Sequence, residues 1–246
     1  MYDFYDKDFF NGELQTWDFE QGPDGLMYLA QSSGLKEFDG ADWRSVEGAG
    51  GVVFSLTKNP EGVIYVGKLN DLGYLKGNGS GKVVYQSLLE KVPEESRNFG
   101  RVSDVVVHGN DIWFVSKGQL MRLRDDQIDA FPVKNGGFHI AFDGDDLFFL
   151  QRGLGFFRLR NDSMEAVEAP AYPRQDELFC LTRREDGKIL GGFMEGGFFT
   201  IDPKAGAAGK VEKWGCPDCP KVLKMRPYAT DYLPDGGLAI ATLKGG

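Results

Sequence analysis

Short segments in which hydrophobic and polar residues alternate recur along the whole chain. The first copy has alternating residues at 16–20, a turn ending in Gly25, an apolar segment at 26–30 and another at 34–40. Alternation with a period of two places one side of a segment on a pleated core and the other toward solvent. Each segment therefore predicts a β-strand, and a short fourth strand is predicted near 43–46.

The same unit returns five more times. The predicted repeats span 12–48, 51–93, 99–133, 137–170, 177–217 and 225–246. Their turn glycines, from Gly25 to Gly236, are spaced by about 42 residues on average, which is the length of one four-stranded propeller blade. The pattern predicts an all-β fold, a single β-propeller over 1–246 with about six detectable blades. A β-sandwich would also show frequent turns, but it does not predict the return of one unit.

The last repeat is shorter than the others. The chain stops at 244–246, where the earlier copies continue into a third strand. We therefore expect an incomplete sixth blade and a fragment of a longer protein. An open strand edge pairs readily with another strand, so a homodimer through that edge is a further expectation.

The composition and charge of the chain favour a β-rich fold and disfavour nucleic acids and membranes as partners. The chain has 34 Gly and 13% aromatic residues, which suits many short strands joined by tight turns. Its formal net charge of -9 disfavours binding to nucleic acid. No apolar run approaches the roughly 20 residues that span a bilayer, so we expect no membrane contact by this segment.

The three cysteines and the glycine-rich loop do not predict a cofactor, a metal site or catalytic residues. Cys216 and Cys219 are expected to be a loop staple or two free thiols rather than a redox pair or half of a zinc site, because a zinc site needs about four ligands. Cys180, in an apolar strand, is expected to be a buried small hydrophobic residue. The loop at 77–82 lacks the context of a phosphate loop and predicts a hairpin.

Three cations follow the second strands of successive repeats. Lys68, Lys117 and Arg152 align there, and that strand end leads to a loop near the central channel of a propeller. Clustered cations on an acidic chain could hold an anionic ligand such as a uronate. The alternative is that they are ordinary solvated loop residues.

Residues at the starts of the innermost strands are further candidates. Arg101 and His139 begin these strands in the third and fourth repeats, and His139 could act as a pH-sensitive contact. Trp17 suggests stacking on a sugar, whereas Trp43 and Trp113 are more typical of packing between blades. A propeller enzyme would need a carboxylate pair or a histidine cluster here.

Residues 24–31, 34–40 and Trp43 of the first repeat resemble the two-component regulator propeller repeat. The N-terminal run 12–17 and residues 99–102 of the third repeat also resemble this family, and the resemblance covers nearly all the chain from residue 12 onward. It implies the extracytoplasmic sensor region of a bacterial hybrid two-component or diguanylate cyclase protein. Such a region would be a non-catalytic periplasmic part of an inner-membrane receptor, and would bind a small extracellular molecule such as an oligosaccharide. A protein-interaction scaffold and a propeller lyase or hydrolase are the alternatives, because one fold hosts all three.

Overall fold

Antiparallel β-sheet is the main structure of the described part of the chain. The computed structural model describes residues 15–79, 82–169, 177–233 and 237–244, without the side chains of residues 231 and 232. Two compact units are present, Met1–Pro132 and Val133–Gly246. The start of the first repeat, 12–14, and the turn predicted at 234–236 lie outside the described residues.

The first unit contains two sheets. Its larger sheet has eight strands in the order β1-β2-β3-β4-β8-β7-β6-β5, and the smaller has four consecutive strands. The strands are β1 (Thr16–Gln21), β2 (Met27–Gln31), β3 (Gly34–Phe38), β4 (Trp43–Gly50), β5 (Val53–Lys58), β6 (Ile64–Lys68), β7 (Leu72–Gly77), β8 (Val83–Ser87), β9 (Val102–His108), β10 (Asp111–Ser116), β11 (Gln119–Arg124) and β12 (Gln127–Pro132). Short 3-10 turns at Leu89–Lys91 and Glu94–Ser96 lie between β8 and β9.

The second unit contains two four-stranded sheets, a hairpin and one short helix. Consecutive strands are again neighbours in each sheet. The elements are β13 (Gly136–Asp143), β14 (Asp146–Gln151), β15 (Gly155–Arg160), β16 (Ser163–Ala166), β17 (Leu178–Arg183), β18 (Ile189–Phe193), β19 (Gly197–Asp202), β20 (Lys210–Lys213), α1 (Cys219–Lys224), β21 (Pro227–Tyr232) and β22 (Leu238–Thr242).

Acidic-glycine turns close the predicted hairpins. Between β1 and β2, the Gly22 N–H donates to the Leu26 carbonyl at 2.8 Å, and the Leu26 N–H donates to Asp24 Oδ1 at 3.2 Å. Gly25 has a φ of 85°, a conformation that favours glycine. The β7–β8 hairpin spans the glycine-rich loop, with Gly77 paired to Val83, so the predicted hairpin is confirmed.

Apolar cores lie between successive repeats. In the first unit, Tyr28, Leu35, Val53 and Val66 belong to one buried cluster. In the second unit, buried phenylalanines dominate, and the Phe156 and Phe199 rings are 4.9 Å apart. The first strands of successive repeats pack side by side, β1 on β5 and β5 on β9, and likewise β13 on β17 and β17 on β21. This arrangement is consistent with a propeller, whereas two face-to-face sheets would not place these strands together.

Two features differ from the sequence prediction. The first two repeats share one eight-stranded sheet, because the irregular middle of β4, between Ser45 and Gly50, pairs in parallel with β8 through Glu47 and Val84. The short helix α1 was not predicted. Asp218 occupies its N-cap and a proline lies in its first turn, which is a common combination at the start of a helix.

Each first strand carries an irregularity at its start. In β1, Thr16 pairs with Gln31 and Asp18 with Ala30, so Trp17 has no partner across the ladder. The equivalent residues are Phe54, Ser103, Phe179 and Tyr228, and in β13 the irregularity extends over 137–139. A bulge redirects the side chain that it leaves unpaired. The repeat is therefore marked by the same backbone feature in every copy.

Candidate functional site

Trp17 and Arg101, two of the predicted site residues, come together in the first unit. The Arg101 guanidinium lies 4.7 Å from the centre of the Trp17 ring and 4.4 Å from that of Phe54. The two aromatic rings meet edge to face at 5.4 Å. A guanidinium over aromatic faces is an attractive cation–π arrangement. The bulge positions of β1 and β5 therefore present two rings to one arginine.

Hydrogen bonds hold the backbone around Arg101 in place. The Asn70 N–H donates to the Gly100 carbonyl at 2.8 Å, and the Gly100 N–H donates to Asn70 Oδ1 at 2.6 Å. Leu69 and Arg101 form an isolated antiparallel bridge. The loop after β6 therefore fixes the position of the Arg101 backbone.

Two carboxyl groups lie one residue past the bulges. Asp18 accepts hydrogen bonds from the N–H groups of Leu56 and Phe19, each at 2.8 Å. Burial nevertheless raises the pKa of Asp18 above its usual value. Burial, with a smaller contribution from the charge of Asp18, raises the pKa of Asp104 to about 7. Groups with such perturbed pKa values concentrate at functional sites.

Lys68 is not an ordinary solvated loop residue, which was the alternative to the predicted ligand-binding cation. It is the last residue of β6 and only 8% exposed. Its ammonium group lies 3.5 Å from Asp71 Oδ2 and 4.6 Å from the centre of the Tyr85 ring. The lysine is therefore already engaged by a carboxylate and an aromatic face.

The three predicted cations do not occupy matching positions, so that part of the prediction was wrong. Lys68 pairs with the first residue of β5, the innermost strand of its repeat. In the next two repeats, the residues that pair with the first residue of the innermost strand, β9 or β13, are Ser116 and Gln151. Lys117 and Arg152 each lie one residue further along. Because side chains alternate between the faces of a strand, a shift of one residue changes the direction in which a side chain points.

Lys117 and Arg152 also differ in their surroundings. Lys117 is exposed. Arg152 donates to Glu177 Oε1 at 2.8 Å and forms an ion pair with it in the second unit. Whether either residue contacts a ligand stays a prediction.

His139 lies in the irregular part of β13. Burial lowers its pKa to about 4. The imidazole is therefore neutral throughout the physiological range, and it does not change its charge between about pH 5 and 8 as an unperturbed histidine would.

The surroundings of Trp113 and of the three cysteines can be compared with the sequence predictions. Trp113 is 4% exposed and stacks on Phe131, as expected for a core residue. Cys180 is buried, and burial raises its thiol pKa to about 12. Cys216 and Cys219 are bonded to each other, which corresponds to the loop staple.

Sequence reasoning missed three members of this arrangement: Phe54, Asp18 and Asp104. A signal was present, because an aromatic-polar pair interrupts the first strand of both of the first two repeats, at 17–18 and 54–55. In β9 the polar residues Ser103 and Asp104 stand side by side between buried valines. Such a break in alternation is what a bulge produces in a sequence.

Metal-binding clusters and membrane-spanning helices are both absent from the described residues. No group of three or more His, Cys, Asp or Glu side chains in this part of the chain could hold a metal ion. None of the helices within it is long and apolar enough to cross a membrane.

Solved structures provide the relatives of this fold. Virginiamycin B lyase from Staphylococcus aureus is 13% identical with a TM-score of 0.64, and the match covers 94% of this chain and 85% of that one. The extracellular domain of BT3049 from B. thetaiotaomicron, assigned as a hybrid two-component system, is 16% identical with a TM-score of 0.62. That match covers 92% of this chain but only 32% of the other.

A third structure belongs to another class of protein. TTHA0570 from Thermus thermophilus, assigned as a glucose dehydrogenase, is 14% identical with a TM-score of 0.53, with coverage of 94% of this chain and 91% of that one. No protein-family profile and no curated protein sequence matches the chain. The likeness concerns the fold alone, and the fold is all-β and consistent with a propeller.

Proposed function

We propose that the chain is a ligand-binding sensor domain of a bacterial signal-transduction receptor, built from about six propeller repeats and acting outside the cytoplasm. The observation that carries the proposal is the likeness to the extracellular domain of BT3049, together with the repeat resemblance in the sequence. In this proposal the domain itself is non-catalytic, and a small extracellular molecule such as a saccharide is its ligand.

Two features of the chain support this proposal. The bond between Cys216 and Cys219 suits an oxidising compartment such as the periplasm. The Trp17, Phe54 and Arg101 group lies at the starts of inner strands, where a propeller presents side chains to a ligand, and aromatic rings with a guanidinium are typical of polar ligand sites. The cations at Lys68, Lys117 and Arg152 support an acidic sugar less well, since Lys68 is already paired.

The experiment is a thermal-shift screen of the purified chain against neutral and acidic oligosaccharides. A ligand that binds only the folded state raises the melting temperature, by an amount that grows with its concentration. A saccharide that raises the melting temperature of the native chain but not of Arg101→Ala supports the proposal. No shift with any saccharide, on protein shown to be folded by circular dichroism, contradicts it.

The likeness to virginiamycin B lyase makes an enzyme the second candidate. Incubation of the chain with virginiamycin B, followed by mass spectrometry, tests it directly. The sensor proposal expects intact virginiamycin B after incubation, and cleavage of the compound would favour the enzyme instead.

A further inference from the structure

A disulfide lies at the start of the short helix α1 in the second unit. It joins Cys216 to Cys219 across two intervening residues, and the Cys219 N–H also donates to the Cys216 carbonyl at 3.2 Å. Cys219 is 7% exposed, whereas Cys216 is only partly buried as a whole residue. Cys216 is therefore the more accessible half of the disulfide.

Helix α1 has few hydrogen bonds of its own. It has six residues, and the side chain of its N-cap, Asp218, makes no capping hydrogen bond. The Val222 N–H donates to the Asp218 carbonyl at 3.1 Å and the Met225 N–H to the Lys221 carbonyl at 3.2 Å. Isolated helices shorter than about 12 residues are marginal in water. The disulfide therefore supplies a constraint on the first turn that a capping side chain supplies in other helices.

The other support of α1 is an apolar cluster on the neighbouring sheet. Cys219 is buried there with Phe179 and Phe198, and Cys216 packs against the same cluster. A Cβ added at Gly197, the first residue of β19, would lie 3.6 Å from Leu223 Cδ1. The disulfide therefore lies where the helix meets the sheet, so its state affects this contact.

The far end of α1 is joined to the hairpin of β21 and β22. The Leu243 N–H donates to the Arg226 carbonyl at 2.9 Å, and the Lys244 N–H donates to the Met225 carbonyl at 3.0 Å. Met225 is the C-cap of the helix, and Leu243 directly follows β22. If α1 unfolds, the end of the hairpin therefore loses two backbone hydrogen bonds.

We propose that the disulfide between Cys216 and Cys219 is a site of thiol–disulfide exchange, and that its reduction by a dithiol releases α1 and loosens the hairpin that follows. The inference goes beyond the sensor function and does not depend on the ligand of the sensor.

The exchange takes place in two steps. A thiolate of the dithiol attacks Cys216 Sγ and forms a mixed disulfide, while the bond to Cys219 Sγ breaks and this sulfur leaves with the electron pair and takes up a proton. The second thiol of the dithiol loses its proton and attacks the dithiol's own sulfur in the mixed disulfide, and Cys216 leaves as a thiolate that is protonated in turn. The dithiol is oxidised to a cyclic disulfide, and both cysteines are reduced to thiols.

The third cysteine does not compete in this exchange. Cys180 is 2% exposed and belongs to the same cluster. Burial raises the pKa of its thiol to about 12, and the thiolate is the reactive form of a cysteine. Cys180 therefore stays a thiol at neutral pH, and Cys180→Ser is a matched control for replacing a cysteine outside the disulfide.

Trypsin reports on the state of α1, because Lys221 and Lys224 lie within the helix. The proteins are the native chain, the double variant Cys216→Ser/Cys219→Ser and the control Cys180→Ser. Each is treated under native conditions with and without dithiothreitol, and mass spectrometry measures the rate of cleavage at each site. A maleimide added after denaturation counts the free thiols, and circular dichroism follows the sheets.

Dithiothreitol should reduce the disulfide in the folded native chain, so that labelling rises from Cys180 alone to all three cysteines. Cleavage after Lys221 and Lys224 should then rise at least about 10-fold. Cleavage after Lys188, in the turn between β17 and β18, should not change. Cys180→Ser should respond to dithiothreitol as the native chain does, and the double variant should be cleaved rapidly without it.

Three results for the native chain would overturn the inference, and none of them needs a variant. Reduction that occurs only after unfolding in urea would show that the disulfide does not exchange in the folded protein. Unchanged cleavage after Lys221 and Lys224 in the fully reduced chain would show that α1 does not depend on the disulfide. Loss of the β-sheet signal on reduction would show that the disulfide supports the whole fold rather than the helix.

Discussion

Replacing Asp104 by asparagine should stabilise the protein at neutral and alkaline pH. The carboxyl has a pKa of about 7 in the folded chain against an ordinary value of 3.8, chiefly because of burial. A carboxyl whose folded pKa is raised contributes stability that is present below the unfolded pKa and is lost as pH rises through the folded pKa. The free energy of unfolding should therefore fall between about pH 4 and pH 7 in the native protein because of this residue.

The size of the effect follows from the two pKa values. Each pKa unit corresponds to about 1.4 kcal/mol, so full burial would cost about 4 kcal/mol above pH 7. Asp104 is only partly buried as a whole residue, and solvent screening reduces the cost. We expect Asp104→Asn to be more stable than the native protein by about 2 kcal/mol at pH 8, with the difference shrinking toward zero near pH 4.

Urea unfolding followed by circular dichroism, at several pH values from about 4 to 8, measures this difference. The comparison is made between variant and native protein at each pH, so titration of other groups cancels. Asp42→Asn, which removes an exposed carboxylate from the same unit, is the matched control variant. A constant difference between Asp104→Asn and native protein over the whole range would refute the reasoning.

Three further predictions concern the second unit. Burial lowers the pKa of His139 to about 4. The free energy of unfolding of the native protein should therefore fall by up to about 3 kcal/mol as pH falls from about 6.5 to 4. His139→Gln should lose much less stability in the same urea titration, and an equal loss would contradict the burial argument. Gly191→Ala should lower the free energy of urea unfolding by about 3 kcal/mol, because a Cβ at this position would lie 2.0 Å from the Phe199 ring. Gly215→Ala is the control, because a Cβ there meets open space and should leave the stability nearly unchanged. Asp146→Asn should lower the free energy of unfolding by about 2 kcal/mol in the same assay. The Asp146 carboxylate accepts hydrogen bonds from two nitrogens of the Arg160 guanidinium, one of them Nε at 2.6 Å. An unchanged unfolding midpoint would show that this ion pair contributes nothing to stability.

The strands were predictable because alternation and glycine turns are local properties of the sequence. The turn at Gly25 and the hairpin at 77–82 needed no information from distant residues. The helix α1 was missed because a Cys-Pro-Asp-Cys run is equally typical of a turn, although Asp218 and the following proline are helix-start signals.

The candidate site was only partly predictable, because it depends on register between strands. Trp17 and Arg101 were identified as inner-strand residues, but their contact runs through Phe54 of another repeat. Lys68 and Lys117 align in the sequence repeats, but they are one position apart in the strand ladders. The pKa of Asp104 depends on how deeply β9 packs against its neighbours, and single-sequence patterns do not report that depth.

Because a bulge recurs in the first strand of every repeat, the residue at that position can change without changing the pairing of the strands. A residue that takes no part in the ladder can be exchanged without altering the pairing on either side of it. Trp17, Ser103 and Tyr228 are such residues and retain accessible surface. A combinatorial library at these three positions should leave the hydrogen bonds of each sheet intact, so each repeat can be varied at its bulge residue independently of the other repeats.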